Sequence, residues 1–398
     1  MSSRGKMTPL ELRASIGLSG IFGLRLLGMF VILPVFVIYA EQLPGGDNLT
    51  LVGIAIGAYG LTQALLQIPF GWWSDRIGRK PVIYAGLVIF AVGSFVAALA
   101  PNIYIVILGR TLQGAGAISA AVIALTADLT REEHRAKAMA MIGSTIGLSF
   151  ALSLIASPWL NRVIGVPGIF AMTGVLAAAA IIVMWRFIPD APAKPPAPGR
   201  ALSDFWNVLK DPELARLNWG IFALHAALMA LFIVVPFALR DAGLALADHW
   251  QVYLPVMLGS FVLMLPPVLQ AGDGIKLRRW FIASVALLLA AHLALPWLSE
   301  NLWLLSLFLL AFFVPFNVLE AILPTLTTRL APLQARGTAI GLYSTIQFFG
   351  TFLGAVVGGF LYQHWGATAV TVFNSVLLAI WLILAFGMRA PAATAKNV

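Results

Sequence analysis

Gly71-Trp72-Trp73-Ser74-Asp75-Arg76-Ile77-Gly78-Arg79-Lys80 interrupts a long apolar chain with a short connection that holds an acid and three cations. Apolar segments long enough to cross a membrane flank it on both sides. Gly71 and Gly78 leave room for close backbone approach or a tight reversal where a side chain would clash. A connection that is short, charged and glycine-bounded between two such segments reads as a loop joining neighbouring helices at a membrane surface.

The composition agrees. Of 398 residues, 60% are hydrophobic and 10% charged, and the mean hydropathy is +0.93. A soluble domain carries about 25% charged residues, so most of this surface faces something other than water. The length alone would suit two or three soluble domains, but charge-poor runs of about 20 residues recur throughout and make one integral membrane unit. The absence of cysteine excludes disulfides and thiolate metal ligands. The N-terminus, with Arg4, Lys6, Glu11 and Arg13, lacks a small-residue cleavage site before a run long enough to span, so it reads as an uncleaved cytoplasmic tail.

Twelve spans are expected, near 14–40, 49–73, 81–100, 102–128, 136–160 and 167–188, then 215–239, 247–270, 277–298, 301–328, 337–362 and 367–388. Placing the N-terminus inside puts every Lys and Arg on the cytoplasmic side except Arg25, Arg110, Arg162 and Arg240. That asymmetry predicts cytoplasmic termini and accounts for the net charge of +9 through contact with anionic lipid, without nucleic acid. Residues 189–213, rich in proline (Pro189, Pro192, Pro195, Pro196, Pro198), divide the spans six and six. The expected units are therefore 1–188, an N-terminal six-helix bundle; 189–213, a cytoplasmic linker whose 202–210 stretch has helical spacing; and 214–398, a C-terminal six-helix bundle. The halves resemble each other weakly: Arg135 and the following Gly143-Ser144-Thr145-Ile146 recur about 200 residues later as Arg336 and Tyr343-Ser344-Thr345-Ile346. A degraded second copy of the 71–80 stretch falls at 273–279.

The 71–80 stretch, with its glycine, Asp-Arg and Gly-Arg-Lys after a second apolar span, resembles the loop between helices two and three of the major facilitator superfamily. Leu108-Gly109-Arg110-Thr111-Leu112-Gln113-Gly114-Ala115-Gly116-Ala117 resembles a second motif of that superfamily. Leu51 to Gln63, Ser74 to Pro81, Asp128-Leu129-Thr130-Arg131-Glu132-Glu133 and Arg336-Gly337 are similar to the YajR-type bacterial branch, here without its soluble C-terminal domain. The resemblance implies an all-α integral membrane fold of twelve transmembrane helices in two pseudo-symmetric six-helix bundles, rocking about a midplane site. It implies a cytoplasmic gate from Gly71, Asp75, Arg76, Gly78, Arg79, Lys80, Asp128 and Arg135, with Asp75 facing the start of span eleven. Residues 143–158 occupy the place of the antiporter motif on helix five and lack its Gly-Pro and Gly-Gly pairs.

Several spans carry polar groups that oil penalises. Glu320 lies in the inner half of span ten, where loss of water disfavours the ionised carboxyl and suits a group that takes and releases a proton. His225 reaches a comparable depth in span seven and is the expected partner; a packed imidazole bonded to a carbonyl is the plainer alternative. Arg110 in span four is expected either to face the cavity and adjust the proton affinity of a nearby carboxyl or to donate to backbone carbonyls, and Arg25 in span one either to face the cavity as a counter-charge to substrate or carboxyl or to snorkel. Tyr59, Gln63 and Gln67 repeat every fourth residue, as do Tyr343 and Gln347, while Asn317 shares a face with Glu320; with Gln113 they are the cavity candidates.

The expected protein is thus a secondary transporter of the bacterial inner membrane. It is a monomer with both termini inside, without a cofactor or metal beyond the coupling proton, acting on a small-molecule substrate within the lipid bilayer. Proton-coupled export of amphipathic compounds is the first expectation. Import of a nutrient by symport or uniport is the second, and a membrane receptor or lipid-handling protein on the same fold the third. No nucleophile triad, metal-ligand spacing or phosphate-binding loop supports an enzyme or an ATP-driven pump.

Overall fold

The computed structural model describes residues 6–191, 201–270, 274–298, 301–332 and 335–388. Arg4, Lys194, Arg200, Asp273, Arg389 and Lys396 lie outside them, as do the prolines Pro192, Pro195, Pro196 and Pro198. The described residues are helical apart from short connections, with no strand among them. In order they form α1 (Pro9–Phe30), α2 (Leu33–Ala40), α3 (Leu49–Arg76), α4 (Arg79–Ala98), α5 (Ile103–Ala115), α6 (Ser119–Asp128) and α7 (Glu132–Phe187). Then come α8 (Ala201–Lys210), α9 (Pro212–Asp241), a 3-10 turn at Leu246–Asp248, α10 (Trp250–Leu269), α11 (Gly274–Leu298), α12 (Leu302–Leu330) and α13 (Arg336–Phe386).

Ten stretches are long and apolar enough to cross a membrane, and two of these are hairpins. Glu11 binds Arg131 at the start of α7, while Arg13 donates to the carbonyl of Phe187 at its end, 2.9 Å away. Both ends of α7 therefore lie at one face, and the chain reverses at Gly165 (φ 68°). The equivalent reversal in α13 is Gly366 (φ 72°), with Arg278 donating to the carbonyls of Phe386 and Met388 near one end and α8 packed against Ala335 and Ala339 at the other. This backbone region is costly for residues with a Cβ, so glycine permits each helix pair to turn without a loop. Splitting the hairpins gives twelve spans.

Two expected spans are broken. Span one unwinds at Val31 and Ile32, ahead of Pro34, and resumes as α2. The helix expected over 102–128 stops at Ala115 and restarts at Ser119, with Gly116 at ψ 50°. Gly114 and Gly116 press on the carbonyls of Tyr59 and Gly86, closer than any Cβ could come. Tight packing against α3 and α4 is realised at the expense of helical continuity.

We call the ends near residues 76–80, 131 and 212 the basic face and the opposite ends the far face. The halves meet along α3 and α13, and the seam is tightest toward the far face. A Cβ at Gly53, Gly57 or Gly60 would fall within 2.9 Å of the carbonyl of Ala355, Phe352 or Phe348. Glu41 of the first half pairs with Arg240 of the second at 2.8 Å, and the Leu49 amide donates to Gln363 Oε1 at 2.6 Å. Toward the basic face the seam parts: a Cβ at Gly143, Gly337 or Gly341 would meet nothing within 4 Å. Between the two regimes, Phe150 of α7 contacts the rings of Phe232, Phe313 and Phe316 across the seam at 6.5, 5.7 and 5.8 Å. The molecule is closed at the far face and cleft at the basic face.

Helix α8 has an independent role. Val208, with Phe205 beside it, packs on Leu214, Ala331, Ala335, Ala339 and Leu342. It ties the connection between halves to the basic-face ends of α12 and α13.

Candidate functional site

Glu320 and His225 come together. Glu320 sits on α12 about three turns past Phe308, within a proline-punctuated stretch (Pro315, Pro324). His225 projects from the middle of α9, whose surroundings are almost wholly apolar. Glu320 Oε1 stands 3.6 Å from His225 Nε2, and among the described residues this oxygen has no hydrogen-bond partner. The Glu320 side chain keeps 21% of its surface exposed, whereas that of His225 keeps 4%. One group thus touches the cleft and the other lies behind it. His225 Nδ1 is 3.2 Å from the Ile221 carbonyl, and Gln347 Nε2 lies 2.8 Å from His225 Nε2. Tyr343, one helical turn from Gln347, is buried with its hydroxyl unpartnered among the described residues. Glu320, His225, Gln347 and Tyr343 therefore form one polar cluster from α9, α12 and α13.

The two arginines lie in the other half. Arg110 donates to the carbonyl of Gly28 at 3.2 Å and to Gln113 Oε1 at 2.9 Å, and its guanidinium stands 5.0 Å from the Tyr59 ring centre. It is a buried cation held by backbone carbonyl, Gln113 and ring, with its Nε unpartnered and no carboxylate within ion-pair reach among the described residues. Arg25 donates to Ser119 Oγ at 2.8 Å, where α6 begins, and to Gln63 Oε1. It does not snorkel; the broken span four supplies its partner. Gln63 in turn donates to Gln67 at 3.1 Å. Tyr59, Gln63 and Gln67 share a face as expected, and that face is buried around Arg25. Gln113 and Asn317 likewise serve neighbouring helices: Gln113 donates to Ser94 at 2.8 Å and Asn317 to Ser260 at 2.9 Å. Polar repeats at helical spacing cannot distinguish a water-facing stripe from an interhelical hydrogen-bond ladder, and most of these are ladders.

At the basic face, Gly78 (φ 99°) turns α3 into α4, and Gly71 lets α3 approach Ala120, to which a Cβ would come within 3.4 Å. Arg79 binds Asp75, reaches Asp128 at 3.4 Å and donates to Ser74 Oγ at 2.7 Å. Arg76 lies over the Trp72 ring, and Lys80 pairs with Asp190 at 2.9 Å. The charges at this face form two clusters. Apart from the Asp75–Arg79–Asp128 group, Arg131 binds Glu11 through its backbone amide and Nε, both at 2.9 Å, and through Nη2 at 3.0 Å. Among the described residues Arg135 joins neither and its Nε is unpartnered. Apart from Lys80–Asp190, which reaches the linker, these contacts stay within the first half; Asp75 has Arg79 as its ion-pair partner, and among the described residues it makes no ion pair with span eleven. Glu11, 4% exposed, was missed because a carboxylate in an N-terminal tail reads as solvated. Its capping box with Thr8 is the signal that could have found it.

Two parallel six-helix halves around a one-sided cleft, with an intramembrane acid on its wall, form the architecture of a membrane transporter. The model of the Major Facilitator Superfamily matches residues 18–318 and again 261–398, and the chain belongs to that superfamily. It is 43% identical over 388 residues to the inner membrane transport protein YajR of Escherichia coli, covering 97% of this chain and 85% of that one. The quinolone resistance protein NorA of Staphylococcus aureus is 24% identical over 359 residues, covering 85% and 87%. Among solved structures, a bacterial homologue of the human lysosomal transporter Spinster, inward-facing and occupied, superposes with a TM-score of 0.76 at 15% identity over 96% and 97% of the two chains. The human organic anion transporter MFSD10 gives 0.70 at 19% identity over 95% and 100%. The chain is a multi-pass membrane transporter and not an enzyme.

Proposed function

We propose that this transporter is a proton-driven exporter of small amphipathic compounds, with Glu320 as the group that carries the proton. The basic face is then cytoplasmic, both termini lie inside, and the membrane is the bacterial inner membrane, as the name of the E. coli relative states for that protein. The observation that carries the reading is Glu320 itself: a carboxyl on the cleft wall, held in oil with one oxygen unpartnered beside His225. An intramembrane acid costs several kcal/mol and is retained for function by default. The NorA relatives, named for quinolone resistance, favour export over uptake.

The energetics suffice. A potential of about 100 mV with a one-unit pH gradient supplies roughly 3.7 kcal/mol per entering proton, enough for roughly a 500-fold gradient of a neutral cargo. In proteoliposomes screened against diverse amphipathic compounds, an imposed pH gradient should drive accumulation. Glu320→Gln should abolish that drive while leaving gradient-independent exchange intact. Undiminished gradient-driven flux in Glu320→Gln defeats the proposal.

A further inference from the structure

One ring nitrogen of His225 is claimed by two side chains. With Nδ1 donating to the Ile221 carbonyl at 3.2 Å, Nε2 presents a lone pair. The Gln347 amide fills it from 2.8 Å, while Glu320 Oε1, 3.6 Å from the same nitrogen, has no hydrogen bond among the described residues. We infer that Gln347 is a positioning residue that competes with Glu320 for His225 Nε2, so that moving a proton onto the imidazole exchanges one partner for the other. The inference rests on the reading of Glu320 as the proton carrier.

The exchange follows from donor and acceptor chemistry. A proton leaving the Glu320 carboxyl and landing on Nε2 turns that nitrogen from acceptor to donor and leaves a carboxylate behind. The Gln347 N–H then faces another N–H and must turn away. The carboxylate, now charged, accepts the new N–H in a stronger, charge-assisted bond. The other titratable group facing Glu320 is Tyr343 of α13. The neighbouring helices α10 and α11 bring no ion-pair partner to the carboxyl among the described residues.

The position of Gln347 gives the exchange a route to the seam. Its backbone carbonyl accepts from Thr351 Oγ1 at 3.1 Å. A Cβ at Gly60 of α3 would lie 2.8 Å from the Phe348 carbonyl and 3.1 Å from Thr351 Cβ. The residue after Gln347, and the one a turn on, are therefore the points where α13 presses on the other half. The Gln347 side chain is thus anchored within one turn of the contact that must yield when the halves exchange sides.

The test uses the full chain in lipid. Because it has no cysteine, Gln42→Cys and His364→Cys, one on each half at the far face, can carry the sole spin labels. In the otherwise unaltered protein, changing from mildly alkaline to mildly acidic buffer should shift the distance distribution between them. Gln347→Met, which keeps the shape and removes the donor, should shrink that pH-driven shift at least about fivefold, the worth of one hydrogen bond. A merely structural role would move the distribution at every pH and leave the shift intact, which overturns the inference. A shift that survives in Glu320→Gln defeats the proton-carrier reading instead, and an unaltered protein indifferent to pH defeats both. Solid-state 15N spectra need no change at 347: under alkaline conditions the Nε2 signal lost in His225→Phe should be that of an unprotonated, hydrogen-bonded nitrogen, and a protonated one overturns the inference.

Discussion

Gly53 of α3 faces the backbone of α13 so closely that a methyl group built on it would stand 2.3 Å from the Ala355 carbonyl oxygen and 3.1 Å from Val356 Cα. An ordinary carbon–oxygen approach is about 3.3 Å, so Gly53→Ala must push the helices apart by about 1 Å. Both obstructing groups are backbone, and no rotamer change relieves them. Overpacking of this kind costs roughly 1–3 kcal/mol. The far-face-closed population should therefore fall roughly 5- to 150-fold relative to the far-face-open one. Alanine also favours helix over glycine by about 0.5–1 kcal/mol, but it does so in both conformations and cancels from the ratio. The label pair at residues 42 and 364 reads the effect as growth of a longer distance component. Gly20→Ala, whose methyl meets nothing within 4 Å, is the matched control and should leave the distribution unchanged. If Gly53→Ala behaves like Gly20→Ala, the α3–α13 contact does not hold the far face shut.

The Glu41–Arg240 pair at 2.8 Å joins the halves, but both side chains are nearly half exposed. Such a pair contributes about 0.2–1 kcal/mol, so Glu41→Gln should shift the same distribution by at most roughly fivefold. Raising the salt concentration should mimic the substitution in the unaltered protein and add nothing to Glu41→Gln. At the basic face, Glu11→Gln should lower the Tm of the purified transporter, because a buried carboxylate there accepts from Arg131 three times and from the Thr8 amide at 2.8 Å. Glu133→Gln, whose side chain is 45% exposed, should leave Tm near its original value; equal losses would show that burial does not set the strength of these pairs.

Hydropathy and loop charge made the spans legible because both are sums over many residues, and bilayer thickness fixes the length being sought. The joint depth of Glu320 and His225 was legible for the same reason: rise per residue along a helix converts sequence position to depth. Rotation about the helix axis was not. It decides that Gln347 meets His225 while Asn317, three residues from Glu320, turns to Ser260. The break at 116–118 was hidden as well, since glycine and alanine in a membrane span usually mark close packing. The phenylalanines carried no positional signal, and Phe150 emerges at the seam through its neighbours alone.

Gly165 and Gly366 close their hairpins with a single residue, leaving no slack at those corners. Each pair of helices is thereby a stiff lever: torque applied at the end holding Glu11 and Arg131, or at the end holding Arg278, reaches the opposite membrane surface undiminished. Lengthening either corner by a few flexible residues would let one arm swing while its mate stayed still, and the machine would slip like a gear on a loose shaft.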